Sequence, residues 1–356
     1  TWNGSVSSDW NDVCNWTPAY VPTAASVVTI PDAANDPVID GSTAAVVNSV
    51  VVEQGATLTV QTNGSLSTEG AVQVGILVEG TLVNSGLIQT DQMATNNSSG
   101  IELQGGLLSN QAGGIIEIEN SKANGIYVNI GLVDNFGTIN IGQGSSNITS
   151  FGITVTDSLH NAGSINIDNI NICGVVVTLP GGLSNEGDIS IGQNGTMNNR
   201  GILIVGNLDN WSSGNIFIDQ GLIGIDNAGP FTNNGHLEVG SNSSMLQAIF
   251  NDGQFTNNAC GEIFFGSRVF TAVGGNLSNA GLIIIDTDEA HANSGTVTNS
   301  GLIEYRQLPL IPNVTNNEII IAPTSAPSCG DITSAFDLGA MVDFDILGIF
   351  TDENAT

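Results

Sequence analysis

Apolar residues along this chain come in pairs spaced by two, and Asn and Gly set each pair off at a nearly constant interval. The recurring unit is Asn-x-Gly-x-Ile-x-Ile, with its Asn at Asn84, Asn110, Asn135, Asn161, Asn185, Asn210, Asn233, Asn257, Asn279 and Asn299. The intervals are 26, 25, 26, 24, 25, 23, 24, 22 and 20 residues. Thr68, Gly70, Val72 and Val74 read as an earlier copy with Thr in place of Asn. Each repeat also carries an upstream Gly-apolar-x-apolar run, such as Gly125-Ile126-Tyr127-Val128 or Gly201-Ile202-Leu203-Ile204, and an apolar residue before the Asn, such as Leu159 or Leu208. Alternation of this kind is a strand period, and no stretch holds a helical one. One repeat therefore predicts three short strands separated by Gly or Asn corners.

A period of 20 to 26 residues marks a solenoid. Strand-only repeats of this length predict an all-β fold, a single-stranded parallel β-helix of the common right-handed kind with about eleven coils. Leucine-rich repeats share the length but need a longer Leu consensus. Coils stacked at about 4.8 Å pair their backbone groups with their neighbours, and every second side chain points into an aliphatic column. Asn tolerates the backbone of a corner. Stacked over ten coils, the amides are expected to form an internal hydrogen-bonded ladder; the rival reading is a row of turn residues facing water. The organisation predicted is an N-terminal cap over 1–50, repeats over 51–306, and a non-repeat segment over 307–356.

Composition narrows the function. The 356 residues hold 4 Lys plus Arg against 34 Asp plus Glu, a formal net charge of −30. Phosphate recognition needs Lys and Arg, so nucleic acid is excluded as a partner, and an anionic membrane surface with it. The apolar stretch from Ala335 to Phe350 is broken by Asp337, Asp343 and Asp345 and does not read as a membrane span. The start at Thr1 hints at a removed signal peptide, as an expression product would equally. The reading is a secreted, extracellular or cell-surface protein.

The two ends depart from the repeat. Three of four Trp, Trp2, Trp10 and Trp16, fall in the first 16 residues. A solenoid must cover its terminal coil, so an aromatic cap is the favoured reading and an exposed carbohydrate platform its rival. The order Trp2-Asn3-Gly4, Asp9-Trp10-Asn11, Asn15-Trp16, Val21-Pro22, Ile30-Pro31 and Pro37-Val38-Ile39 resembles the opening of secreted β-helix repeat proteins of Bacteroidetes cell surfaces. The likeness is good over about residues 1–75 and loose over the repeats. It implies export and a structural or adhesive role, with no residue-level activity to transfer. At the other end Phe336, Phe344 and Phe350 mark an aromatic segment that either caps its own chain or docks on a second copy. Such head-to-tail docking propagates into a filament.

Cys173 and Cys260 lie about three coils, or about 14 Å, apart, beyond the reach of a disulfide, and are expected to be unpaired. Cys14 and Cys329 sit at opposite ends and are candidates for a bond between successive molecules. With Trp2, Trp10, Trp16, Phe336, Phe344 and Phe350 they form the set of intersubunit candidates.

Chemistry is sparse. Lyases of this shape need a basic proton acceptor, and the only Lys and Arg are Lys122, Arg200, Arg268 and Arg306, in no acidic cluster. A hydrolase needs adjacent carboxylates; Asp188 with Asp209, and Glu238 with Glu262, are the pairs that stacking might join. His160, His236 and His291 lack metal-ligand spacing. Asp286-Thr287-Asp288-Glu289 is a weak calcium loop, otherwise no cofactor is expected. Thr154, Thr156 and Thr178 do not recur as an ice-binding array would. The expectation is a non-enzymatic subunit of an extracellular filament or surface layer, joined to other copies head-to-tail. The alternatives are a monomeric adhesin that binds surface glycans, and a carbohydrate-active β-helix enzyme.

Overall fold

The computed structural model describes residues 1–71, 73–91, 99–144, 150–195, 197–241, 245–272, 274–287, 291–306, 311, 314–316, 319–321 and 349–350. The chain is an all-β solenoid of stacked parallel strands, and its one described helical element is the 3₁₀ turn Val13–Asn15. Each turn contributes three strands, as in Phe151–Val155, Ser158–Asn161 and Ser164–Ile167. The strands stack into three faces. The third face is a 14-stranded sheet of its own. The first and second merge into a 23-stranded sheet, because Ser99–Asn110 and Asn124–Asn135 run unbroken round the corner between them.

Eleven turns, from Ser49–Val52 to Leu302–Tyr305, repeat the pattern. A further turn precedes them: Val27–Ile30 pairs in register with Ser49–Val52, and Ala44–Val47 with Ser65–Glu69. These strands lack the Asn signature, so the sequence pattern placed them in the cap. The covering segment proper is residues 1–26.

Every face alternates inward and outward positions. On the third face Ile139, Ile165, Ile189 and Ile216 lie in one register column, with Ile141, Ile167, Ile191 and Ile218 in the next. All eight are buried. β-Branched side chains suit this pleated, close-packed interior. Where the second-face column widens to Phe231 and Phe255, the rings stack at 4.5 Å and 5°.

Glycine at the corner after each ladder Asn is set by the stacking distance. A Cβ on Gly187 would overlap the carbonyl oxygen of Gly163, one turn below, which is backbone and cannot rotate aside. Gly187→Ala is therefore expected to destabilise the fold by about 1–3 kcal/mol through overpacking. Gly182→Ala, whose added Cβ meets nothing within 4 Å, should leave the urea midpoint unchanged or slightly raised. Equal midpoints for both variants would show that the corner is not close-packed.

The N-terminal segment closes the solenoid. Trp2 N–H donates to the Thr29 carbonyl at 2.9 Å, and Trp10 N–H to Val38 at 3.3 Å, so the segment hydrogen-bonds the open edges of the first turn. Trp16 packs edge-on against Trp2 at 5.0 Å and Trp10 at 4.8 Å. All three rings are buried and belong to the same core as the aliphatic columns. They are thus a cap. That burial takes Trp2, Trp10 and Trp16 out of the intersubunit candidates and rules out an exposed carbohydrate platform made from them. At the far end, Ile319–Ile321 pairs antiparallel with Ile349–Phe350, so the chain's own tail covers the last edge of the third face.

Candidate interaction surface

The ten ladder asparagines occupy the last inward position of the second face, and all are buried. Each side-chain amide but the last donates to the amide oxygen one turn further on: Asn84 to Asn110 at 2.8 Å, Asn110 to Asn135 and Asn135 to Asn161 at 2.7 Å, and Asn161 to Asn185 at 2.8 Å. The series continues through Asn210, Asn233, Asn257 and Asn279 to Asn299, ending at 2.6 Å. The second amide proton finds backbone, as when Asn161 donates to the Asp188 carbonyl at 3.1 Å. Burial without such partners would be costly, so the row is kept as a set. A second, shorter ladder lies on the first face, where buried Asn227 donates to buried Asn251 at 2.8 Å. It replaces two aliphatic residues of the Gly-apolar-x-apolar run and is too short to show as a period.

The ladder fixes what stands beside it. The residue after each Asn turns out of the core at the corner, its N–H donating to the Asn carbonyl of the previous turn. This holds for Phe136, Ala162, Glu186 and Trp211, at 2.7, 2.8, 2.7 and 2.8 Å. The residue before each Asn points outward from the second face, giving the column Asp134, His160, Ser184 and Asp209. The two columns mesh. Phe136 is 43% exposed, and its ring meets His160 edge-on at 5.8 Å. Trp211 is 49% exposed, and its indole N–H reaches back to the Ser184 hydroxyl at 2.7 Å. Between them His160 Nδ1 and an Asp134 carboxylate oxygen share a hydrogen bond of 2.7 Å, and Glu186 lies 3.9 Å from His160 Nε2. Trp211 was not singled out by composition, although its place directly after a ladder Asn is the signal that would have found it.

The same face borders a trough of about 570 Å³ along the corner with the first face. Gly55, Gly80, Gly105, Gly106 and Gly131 line it, beside Glu79, Leu107, Leu132 and Asp157. The Asp157 carboxylate accepts from Gly131 N–H at 2.8 Å, so one of its oxygens is already used. Further along, Thr232, Thr256, Ser278 and Thr298 share one outward column, a hydroxyl row separate from Thr154, Thr156 and Thr178.

The paired carboxylates do not assemble as a hydrolase requires. Asp188 lies on the third face and Asp209 on the second. Glu238 and Glu262 share the third face, but both flank His236, at 3.5 and 3.6 Å. Arg200 is engaged by Asp226 at 2.5 Å. Among the described residues no group of three His, Cys, Asp or Glu is placed to hold a metal ion. Part of the Asp286–Glu289 loop lies outside the described residues. Also among them, no helix is long and apolar enough to cross a membrane.

Cys14 is exposed and free, and Cys173 is free but buried. Burial pushes the Cys173 thiol up to about 12, so it is inert at neutral pH. Cys260 is disulfide-bonded, which corrects the expectation that it stands unpaired. Cys329, Phe336 and Phe344 fall outside the described residues; Phe350 is in the terminal strand.

His291 carries a pH prediction. It is 7% exposed and accepts the Val269 N–H at 3.1 Å. Burial, and secondarily Arg268, lower its pKa to about 4 from 6.5. Between those values the unfolded chain binds a proton that the folded chain refuses. Its stabilising effect is therefore complete above about pH 6.5 and is lost as pH falls toward 4. Hydrogen exchange around Val269–Thr271 should quicken over that window, and an unchanged profile would place His291 in contact with water.

Residues 1–106 match a family described as a domain of unknown function (DUF8693). The match spans the cap and the first turns, to the bulge at Gly106. No curated protein matches this sequence.

Proposed function

We propose that this chain is a secreted, non-catalytic surface rod, an adhesin-type module that binds through its flank. The observation that carries the reading is that the chain itself covers strand edges at both ends: the Trp cap on the first turn and the antiparallel Ile349–Phe350 strand on the last strand of the third face. Covered edges favour a single rod over the head-to-tail filament, since docking there would have to displace them. An unbroken ladder and continuous aliphatic columns support stiffness. The scattered acids and bases, with most cationic groups already paired, support a surface that binds rather than reacts. The acidic balance of −30 favours an uncharged or cationic partner.

The test is sedimentation velocity with negative-stain microscopy, with and without reductant. Twelve turns at about 4.8 Å give rods about 60 Å long, expected singly at every concentration. Regular filaments would overturn the reading, and their dissolving on reduction would show a disulfide between copies, with exposed Cys14 as its first candidate.

A further inference from the structure

We infer that the platform of Phe136, His160, Glu186 and Trp211 is a binding site for an uncharged pyranose chain lying along the rod axis. The inference rests on the flank-binding reading and names its site and ligand class. Four observations converge. First, Phe136 and Trp211 are exposed large rings, at 43% and 49%, on one corner column. Register puts their backbones three turns apart, about 14 Å, the reach of a short oligosaccharide. Second, the rings lean toward each other, Phe136 onto His160 of the next turn and Trp211 back onto Ser184 of the turn before. Their partners hold them in place, so little freedom is lost on binding.

Third, the gap between the rings is polar. The Asp134–His160 pair and the half-exposed Glu186 carboxylate present hydrogen-bond acceptors and a ring N–H between two apolar plates. A sugar ring has this division: its C–H faces suit the electron-rich face of an aromatic ring, and its hydroxyls donate to carboxylates. Fourth, the charge selects against anionic chains. Asp134, Glu186 and Asp209 surround the platform, and the chain as a whole is at −30. A uronic or sulfated polymer would meet like charge at short range. The corner trough has no aromatic residue in its lining, so it lacks the feature that would hold a sugar face.

The platform is tested by affinity gel electrophoresis of the full chain in gels containing a soluble β-1,4-glucan, a β-1,4-xylan, a mannan or an α-glucan, with alginate as the anionic comparison. Trp211→Ala and Phe136→Ala are run beside Tyr20→Ala, an exposed aromatic 53% accessible in the N-terminal segment. Melting curves check that all three variants fold. The expected result is retardation by at least one neutral polymer and none by alginate. Each platform variant should weaken binding about two- to tenfold, and the Tyr20 variant should bind as the parent does. Retardation by no neutral polymer, equal retardation of the platform variants and the parent, or retardation by alginate would each overturn the proposal. None of these outcomes touches the rod reading. That falls instead if the protein forms filaments or releases new reducing ends from the polymers.

Discussion

Replacing Asn161 by Leu is expected to lower the stability of the central turns by about 2–6 kcal/mol, since it leaves two buried polar groups without partners at about 1–3 kcal/mol each. Leu branches at the same carbon as Asn but carries bulkier methyl groups, so the substitution leaves no cavity and adds overpacking to the loss of hydrogen bonds. Asn135 loses the oxygen it donates to at 2.7 Å, and Asn185 loses the donor that reaches it at 2.8 Å. Both neighbours are fully buried, so water cannot replace the lost amide. Outward-facing Asn166 makes the same amide contact, to Asn140 at 2.9 Å, but at the surface. Asn166→Leu should change stability by less than about 0.5 kcal/mol. Because a solenoid's turns depend on their nearest neighbours, hydrogen exchange across turns 124–191 is the informative measurement beside urea unfolding. Equal effects of the two substitutions would mean that the ladder contributes no more than a surface pair.

Trp16→Ala is expected to remove about 3–5 kcal/mol from the N-terminal end, the usual range for truncating a buried large aromatic. The ring makes both edge-to-face contacts of the cap, and its indole N–H donates to the Trp10 carbonyl at 2.8 Å. Without it, the hold of the cap on Val27–Ile30 and Val38–Ile39 weakens, and two strand edges become open to pairing with other chains. The readouts are a lower melting temperature and concentration-dependent light scattering. A variant that melts like the parent and stays monomeric would show that the first turn needs no aromatic cover.

The sequence was most informative where a residue type repeats for one physical reason. Asn161 and its equivalents must fill the same buried place in every turn, so the period, the three strands and the parallel stacking could be read from them. Val27–Ile30 was missed as a solenoid strand because the first turn carries Val and Thr where later turns carry the motif. Asn227 and Asn251 were missed because two turns make no period. The surface was least legible, for nothing about outward side chains forces repetition. Trp211 follows Asn210, and Phe136 follows Asn135, in a slot elsewhere taken by Ala162 or Glu186. Only the register revealed that two rings and a carboxylate share one line. Asp188 and Asp209 failed as a pair for the same reason, since nearness in a repeat does not say which face a residue joins.

The sameness of the ladder links also bears on how such a chain can change by copying. Asn161 meets Asn185 at 2.8 Å, and Asn185 meets Asn210 at 2.7 Å, through the same atoms. Deleting residues 162–185 would bring Asn210 to the place of Asn185, and the joint would close as before. Gain or loss of one whole repeat is thus nearly silent for the cross-section and alters only length. Gain or loss of part of a repeat would interrupt the row of amides. Heredity acting on this architecture would tolerate whole turns as its unit, and the exposed rings of Phe136 and Trp211, three turns apart, would be set nearer or farther in steps of about 4.8 Å.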